Sequence, residues 1–151
     1  MTSVIKIIKE PDGLLHQKCE SVNDFKTAKK IVRELLITVR SVATFWNRWL
    51  GFAANQIGYP QRIIVLRDGN DRYTVLINPV LIEKRLPFPY LERCHSIQGV
   101  YLVKRYLWAK VKFQDVTGIS HEKILRGPSA LYQEIDHIDG IMISEIGRRI
   151  L

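Results

Sequence analysis

Leu131-Tyr132-Gln133-Glu134-Ile135-Asp136-His137-Ile138-Asp139-Gly140 is the stretch on which the fold turns. A metal-hydrolase helix of the form His-Glu-x-x-His carries two imidazoles one turn apart, with a glutamate beside the first. Here Glu134 and His137 fill two of those positions and Gln133 stands in the first. Helical spacing puts Gln133, Glu134 and His137 on one face and leaves Ala130, Leu131, Ile135 and Ile138 to pack on a sheet. Gly140 is the expected C′ residue that ends this helix, and Gly127-Pro128 opens it. Taken alone, the polar trio also describes an ordinary solvent-facing stripe.

Upstream, Asn23 or Asp24 is a plausible N-cap for a long first helix. Phe25, Ala28, Ile31, Val32, Leu35, Leu36, Val39, Val42 and Trp46 recur at steps of three and four and form its apolar stripe. Arg62 to Leu66 and Tyr73 to Ile82 read as strands. From Leu107 to Gln114 apolar residues alternate with Trp108, Lys110, Lys112 and Gln114, which is period two. Asp115-Val116-Thr117-Gly118 is a hairpin turn into a strand ending near Leu125. Helix, antiparallel strands, helix is an α+β order.

The 151 residues suit one domain, 1–151, with one core. No apolar run approaches the roughly 20 residues that span a bilayer, and the start lacks a signal peptide's organisation. The reading is a soluble cytoplasmic protein with no membrane role. Two cysteines, Cys19 and Cys94, are too few for a disulfide scaffold. The net charge of +8 favours polyanions, but the basic residues form no long run and no specific nucleic-acid motif. His16 and His121 look like isolated surface residues. Oligomeric state is not readable.

Two further stretches give the helix a context. Gly51-Phe52-Ala53-Ala54-Asn55-Gln56-Ile57-Gly58 is a small-residue segment with an amide, and Glu92-Arg93-Cys94-His95-Ser96-Ile97-Gln98-Gly99 holds a lone cysteine in a strand-like setting. In this order the three stretches resemble the motifs of the peptide deformylase family: Gly-x-Gly-(apolar)-Ala-Ala-x-Gln, Glu-Gly-Cys-(Leu)-Ser and His-Glu-x-x-His. Ile8 to Asp12, Asn78-Pro79 and Val103-Lys104-Arg105 resemble the family's flanking segments.

The resemblance implies a mostly antiparallel mixed sheet around a central motif helix, plus a long N-terminal helix. It also implies a hydrolase that removes the formyl group from N-terminal formyl-methionine of nascent peptides. The implied cofactor is one divalent metal ion, ferrous iron or a zinc, nickel or cobalt substitute. Its implied ligands are Cys94 and His137, with Gln133 at the third position. Glu134 matches the general acid/base. Gln56 and the backbone N–H of His95 match the donors to the formyl oxygen, and Gly51 with its neighbour Phe52 matches the strand edge that pairs with substrate. Glu92 and Arg105 match a structural ion pair.

The departures fall at the site. Gln133 replaces a histidine ligand and is expected to weaken metal binding. His95 replaces leucine and, by strand alternation, should face away from the Cys94 site. Arg93 and Trp49 replace glycines and are expected to reshape the substrate groove, whereas Asn55 and Gln98 look mild. The chain ends soon after the motif helix, so ribosome proximity through a C-terminal docking helix is not expected. The alternative is a weak or inactive member of the fold acting as a peptide-binding or regulatory module.

Overall fold

A computed structural model describes residues 5–127 and 129–151, so Pro128 and the first four residues lie outside the described residues. The first helix, α1, spans Phe25–Val42. Asp24 caps it, its carboxylate accepting from the N–H groups of Lys26 and Thr27. The strands are β1 (Leu50–Ala53), β2 (Ile63–Arg67), β3 (Tyr73–Cys94), β4 (Ile97–Gln114) and β5 (Ser120–Arg126). The motif helix α2 spans Leu131–Ile138; a short α3 (Ile143–Ile146) and β6 (Arg148–Arg149) follow.

The strands lie side by side in the order β1-β2-β3-β4-β5, with β6 paired to β4. Among the described residues every ladder is antiparallel, and one isolated bridge, Glu20 to Gln61, is parallel. β1 is therefore an edge strand whose outer side carries no neighbouring strand among the described residues. β2 separates two apolar layers. Ile63 and Val65 pack with Phe52, Ile31, Leu35 and Val39 under α1. Ile64 and Leu66 pack with Leu131, Tyr132 and Ile138 of α2. The alternation of a strand places successive side chains on opposite faces, so an unbroken apolar run is what a strand covered on both sides requires.

Three expectations need correction here. The α1 stripe stops at Val42, where the Asn47 side chain caps the last carbonyl; Trp46 lies beyond it and is 90% exposed. β3 does not end at Ile82 but runs on to Cys94, bending where its register with β4 shifts. Neither His16 nor His121 is isolated: the His16 imidazole reaches Glu10 at 2.7 Å and Glu145 at 3.4 Å, tying the N-terminal segment to α3, and His121 Nε2 lies 2.7 Å from Asp115 Oδ2. The end of α2 is as expected, with Gly140 at φ 76° just past it, where a Cβ would run into the His16 backbone.

Candidate active site

Cys94 closes β3 and pairs with Ile97 across a tight hairpin whose two turn residues are His95 and Ser96. Its sulfur faces inward, accepts from the Ser96 N–H at 3.4 Å, and lies 3.3 Å from Nε2 of His137. Burial pushes the Cys94 thiol up to about 12. Burial, with the nearby Arg105 cation, pushes His137 down to about 4. The metal-free pair is thus a neutral thiol and a neutral imidazole.

The short 3₁₀ turn Ala54–Ile57 follows β1 and supplies two adjacent amides. Gln56 accepts from the Ala53 N–H, donates to Ser96 Oγ at 3.1 Å, and directs the same Nε2 at Cys94 Sγ, 3.7 Å away. Asn55 donates through Nδ2 to the His137 carbonyl at 2.6 Å. The residue that looks mild in sequence is wholly buried against the motif helix. Only its tertiary position reveals this, because an Asn in a turn carries no distinctive sequence signal.

Glu134 is turned inward beside His137, and each residue is 1% exposed. Glu134 and His137 are therefore no solvent stripe, and only Gln133 of the trio is part-exposed. Oε2 of Glu134 and Nδ1 of His137 have no hydrogen-bond partner among the described residues. Burial raises the Glu134 carboxyl well above its ordinary value, with Glu92 and Asp136 adding to the effect. Arg105 on β4 makes three short N–H···O contacts to Glu92 on β3, at 2.8, 3.1 and 2.8 Å. Its Nη1 reaches Asp136 on α2 at 2.7 Å. The expected pair is thus a bridge from both strands to the motif helix.

A groove of about 810 Å³ opens beside these groups. Gly51, Gln56, Cys94, Gln133 and Glu134 line it, as do Trp49, Arg93 and His95. Phe52 does not: it is fully buried under α1. His95 is exposed in the hairpin turn, with its ring 5.2 Å from that of Phe52. Contrary to the expectation from strand alternation, it lines the same groove as Cys94, because it sits in the turn and not in the strand. Gln133 does not point its amide nitrogen at the Cys94–His137 pair but donates it to the Arg93 carbonyl at 3.1 Å.

A sequence model described as "Polypeptide deformylase" matches residues 4–149. The chain is 32% identical to a peptide deformylase of Clostridium beijerinckii, over 93% of this chain and 100% of that one. The chain belongs to the peptide deformylase family. Among solved structures, a peptide deformylase from Thermus thermophilus superposes with a TM-score of 0.84 at 32% identity, covering 94% of this chain and 84% of that one. The Thermotoga maritima peptide deformylase also gives 0.84, at 26% identity, with 95% and 97% covered.

Deformylases work with a single metal ion, and the donor set here fits one at two positions. Thiolate sulfur and imidazole nitrogen on one tetrahedral zinc-sized ion stand about 3.5 Å apart, close to the 3.3 Å between Cys94 Sγ and His137 Nε2. A third strong donor is missing: among the described residues, no three His, Cys, Asp or Glu side chains form a group that could hold a metal ion. Gln133, where the family motif has a histidine, is a neutral amide engaged with the Arg93 carbonyl.

Proposed function

We propose that this chain is a deformylase-type amide hydrolase, acting in the cytoplasm on formyl-methionine at the N-terminus of nascent peptides. The observation that carries the reading is that Cys94, Glu134 and Gln56 line one groove beside the β1 edge, with His137 Nε2 3.3 Å from the Cys94 sulfur. Cys94 and His137 would hold one divalent ion, with the Gln133 carbonyl oxygen as a weak third donor. Such an ion, when bound, supplies Lewis acidity that lowers the pKa of a coordinated water toward neutral.

The rest falls to the chain's own groups. An extended substrate adds along the free edge of β1 near Gly51, with backbone hydrogen bonds holding its register. Gln56 Nε2, with the His95 N–H, donates to the formyl oxygen as that atom gains charge. Glu134, whose proton affinity burial raises, takes a proton from the attacking water as the carboxylate and delivers it to the amine as the C–N bond breaks. Formate and a free methionyl amine leave. Trp49 and Arg93 border the groove and would set which peptides enter.

One observation favours a second reading. With Gln133 engaged to Arg93 and no third strong donor among the described residues, the scaffold could grip a peptide without turning it over. Anaerobic purification, metal analysis and a formyl-Met-Ala assay with added ferrous, nickel, cobalt or zinc ions separate the two. Turnover with stoichiometric metal supports the hydrolase. If neither the native chain nor Gln133→His releases formate under any ion, the hydrolase reading is wrong and peptide binding stands.

A further inference from the structure

We infer that Asn55 is a positioning residue which, together with Gln56, sets the separation of Cys94 and His137. The two amides are adjacent on one short turn and reach in different directions. Asn55 Nδ2 holds the His137 carbonyl at 2.6 Å, at the C-terminal end of α2, where the same carbonyl also accepts from the Gly140 N–H at 3.0 Å. Gln56 Nε2 holds Ser96 Oγ at 3.1 Å in the hairpin that carries Cys94. The turn therefore spans the two chain segments that bring sulfur and imidazole within 3.3 Å.

The N-terminal segment locks one arm of this bracket. The Ile8 N–H donates to the Gln56 carbonyl at 2.7 Å, and the Ile8 carbonyl accepts from Ser96 Oγ at 2.7 Å. Asn55 Oδ1 is buried without a partner among the described residues, so the Nδ2 bond carries that side chain's hold on the helix. A site with three strong ligands can draw its ligands together around the ion. With Gln133 in the third position, two strong donors must already stand at the right span before the ion arrives. Preorganisation of this kind lowers the entropic cost of binding.

The metal part of this inference rests on the deformylase reading; the Cys94–His137 contact does not. The test uses Co²⁺ titration of the full chain and, separately, the ¹⁵N resonance of His137 Nε2 in the metal-free protein. Asn55→Ala is expected to weaken Co²⁺ binding at least tenfold and to shift the His137 resonance. Asn55→Asp, with the same shape but no donor, should do likewise. Thr38→Val removes a buried hydroxyl bond on α1, remote from the site, and should lower stability while leaving both readouts at native values.

If the native chain takes up no Co²⁺, the His137 resonance decides. Native Co²⁺ affinity and an unmoved resonance in Asn55→Ala would overturn the inference. So would equal changes in Thr38→Val, which would mark a general loss of structure.

Discussion

Gly51 and Glu134 stand so close that a Cβ on Gly51 would lie 2.7 Å from Cγ of Glu134. Leu66 and Ala130 crowd the same point at 3.0 and 3.1 Å. The glycine is needed because the motif helix seats directly on β1, quite apart from any contact with substrate. Gly51→Ala should lower stability by about 1–3 kcal/mol, the usual cost of overpacking. It should also cut formyl release further than that loss explains, since Glu134 must move. Urea unfolding and assay of the same sample check both; native stability would contradict the seating.

Glu134→Gln preserves shape and removes proton transfer. Formate release should fall by about 10²–10⁴-fold, the usual contribution of a general acid/base. Stability should move the other way. The folded carboxyl holds its proton more tightly than the ordinary value of 4.5 implies. The folded state therefore binds more protons than the unfolded state above that pH, and its stability falls as pH rises. Metal-stripped Glu134→Gln should lack this decline, so its melting temperature at pH 8 should equal or exceed the native one. Unchanged turnover would remove Glu134 from the mechanism.

Arg105 and Glu92 are each 6% exposed. Arg105→Met would leave the Glu92 carboxylate buried without its partner and cut the tie to Asp136. Breaking a buried pair from one side costs about 3–5 kcal/mol. Equilibrium unfolding should show a loss of that order, and Arg105→Lys should recover only part of it, because the forked contacts need a guanidinium. A loss below about 1 kcal/mol, the range of an exposed pair, would mean that the bridge adds nothing.

His16 carries a mild pH dependence. Its hydrogen bond to Glu10, with the charges of Glu10 and Glu145, raises its pKa above the ordinary 6.5. The stabilisation is full below 6.5 and is lost as pH rises through the folded value. Amide exchange at Met142, whose N–H is held by Glu145 at 2.7 Å, should quicken across that window. His16→Gln should exchange at one rate on both sides of it; a native-like rise in the variant would exclude His16 as the cause.

The parts legible in sequence are those with local signals. Asp24 and the stripe from Phe25 to Val42 announce α1, and the order of three short motifs announces the arrangement of Gln56, Cys94, Glu134 and His137. Trp46 fits the helical period but not the helix, because the cap by Asn47 is a loop contact that periodicity does not encode. The far half of β3, with Lys84, Arg85, Pro87 and Pro89, has no alternation to read; its pairing with β4 imposes the strand. Asn55 with His137 and Arg105 with Asp136 join residues 82 and 31 positions apart. Their partners become visible only once the chain is folded.

β1 is four residues long and lies at the wall of a groove whose far side is the β3–β4 hairpin. A bare strand edge normally invites pairing with any exposed sheet. Set along a groove, this one stands where a single extended chain could lie beside it. The groove would thus act as a filter on folding state. A chain emerging unfolded could present its first residues, and the same chain, once its N-terminus had packed into its own structure, could not. The time available for the reaction would be set by how fast the client folds.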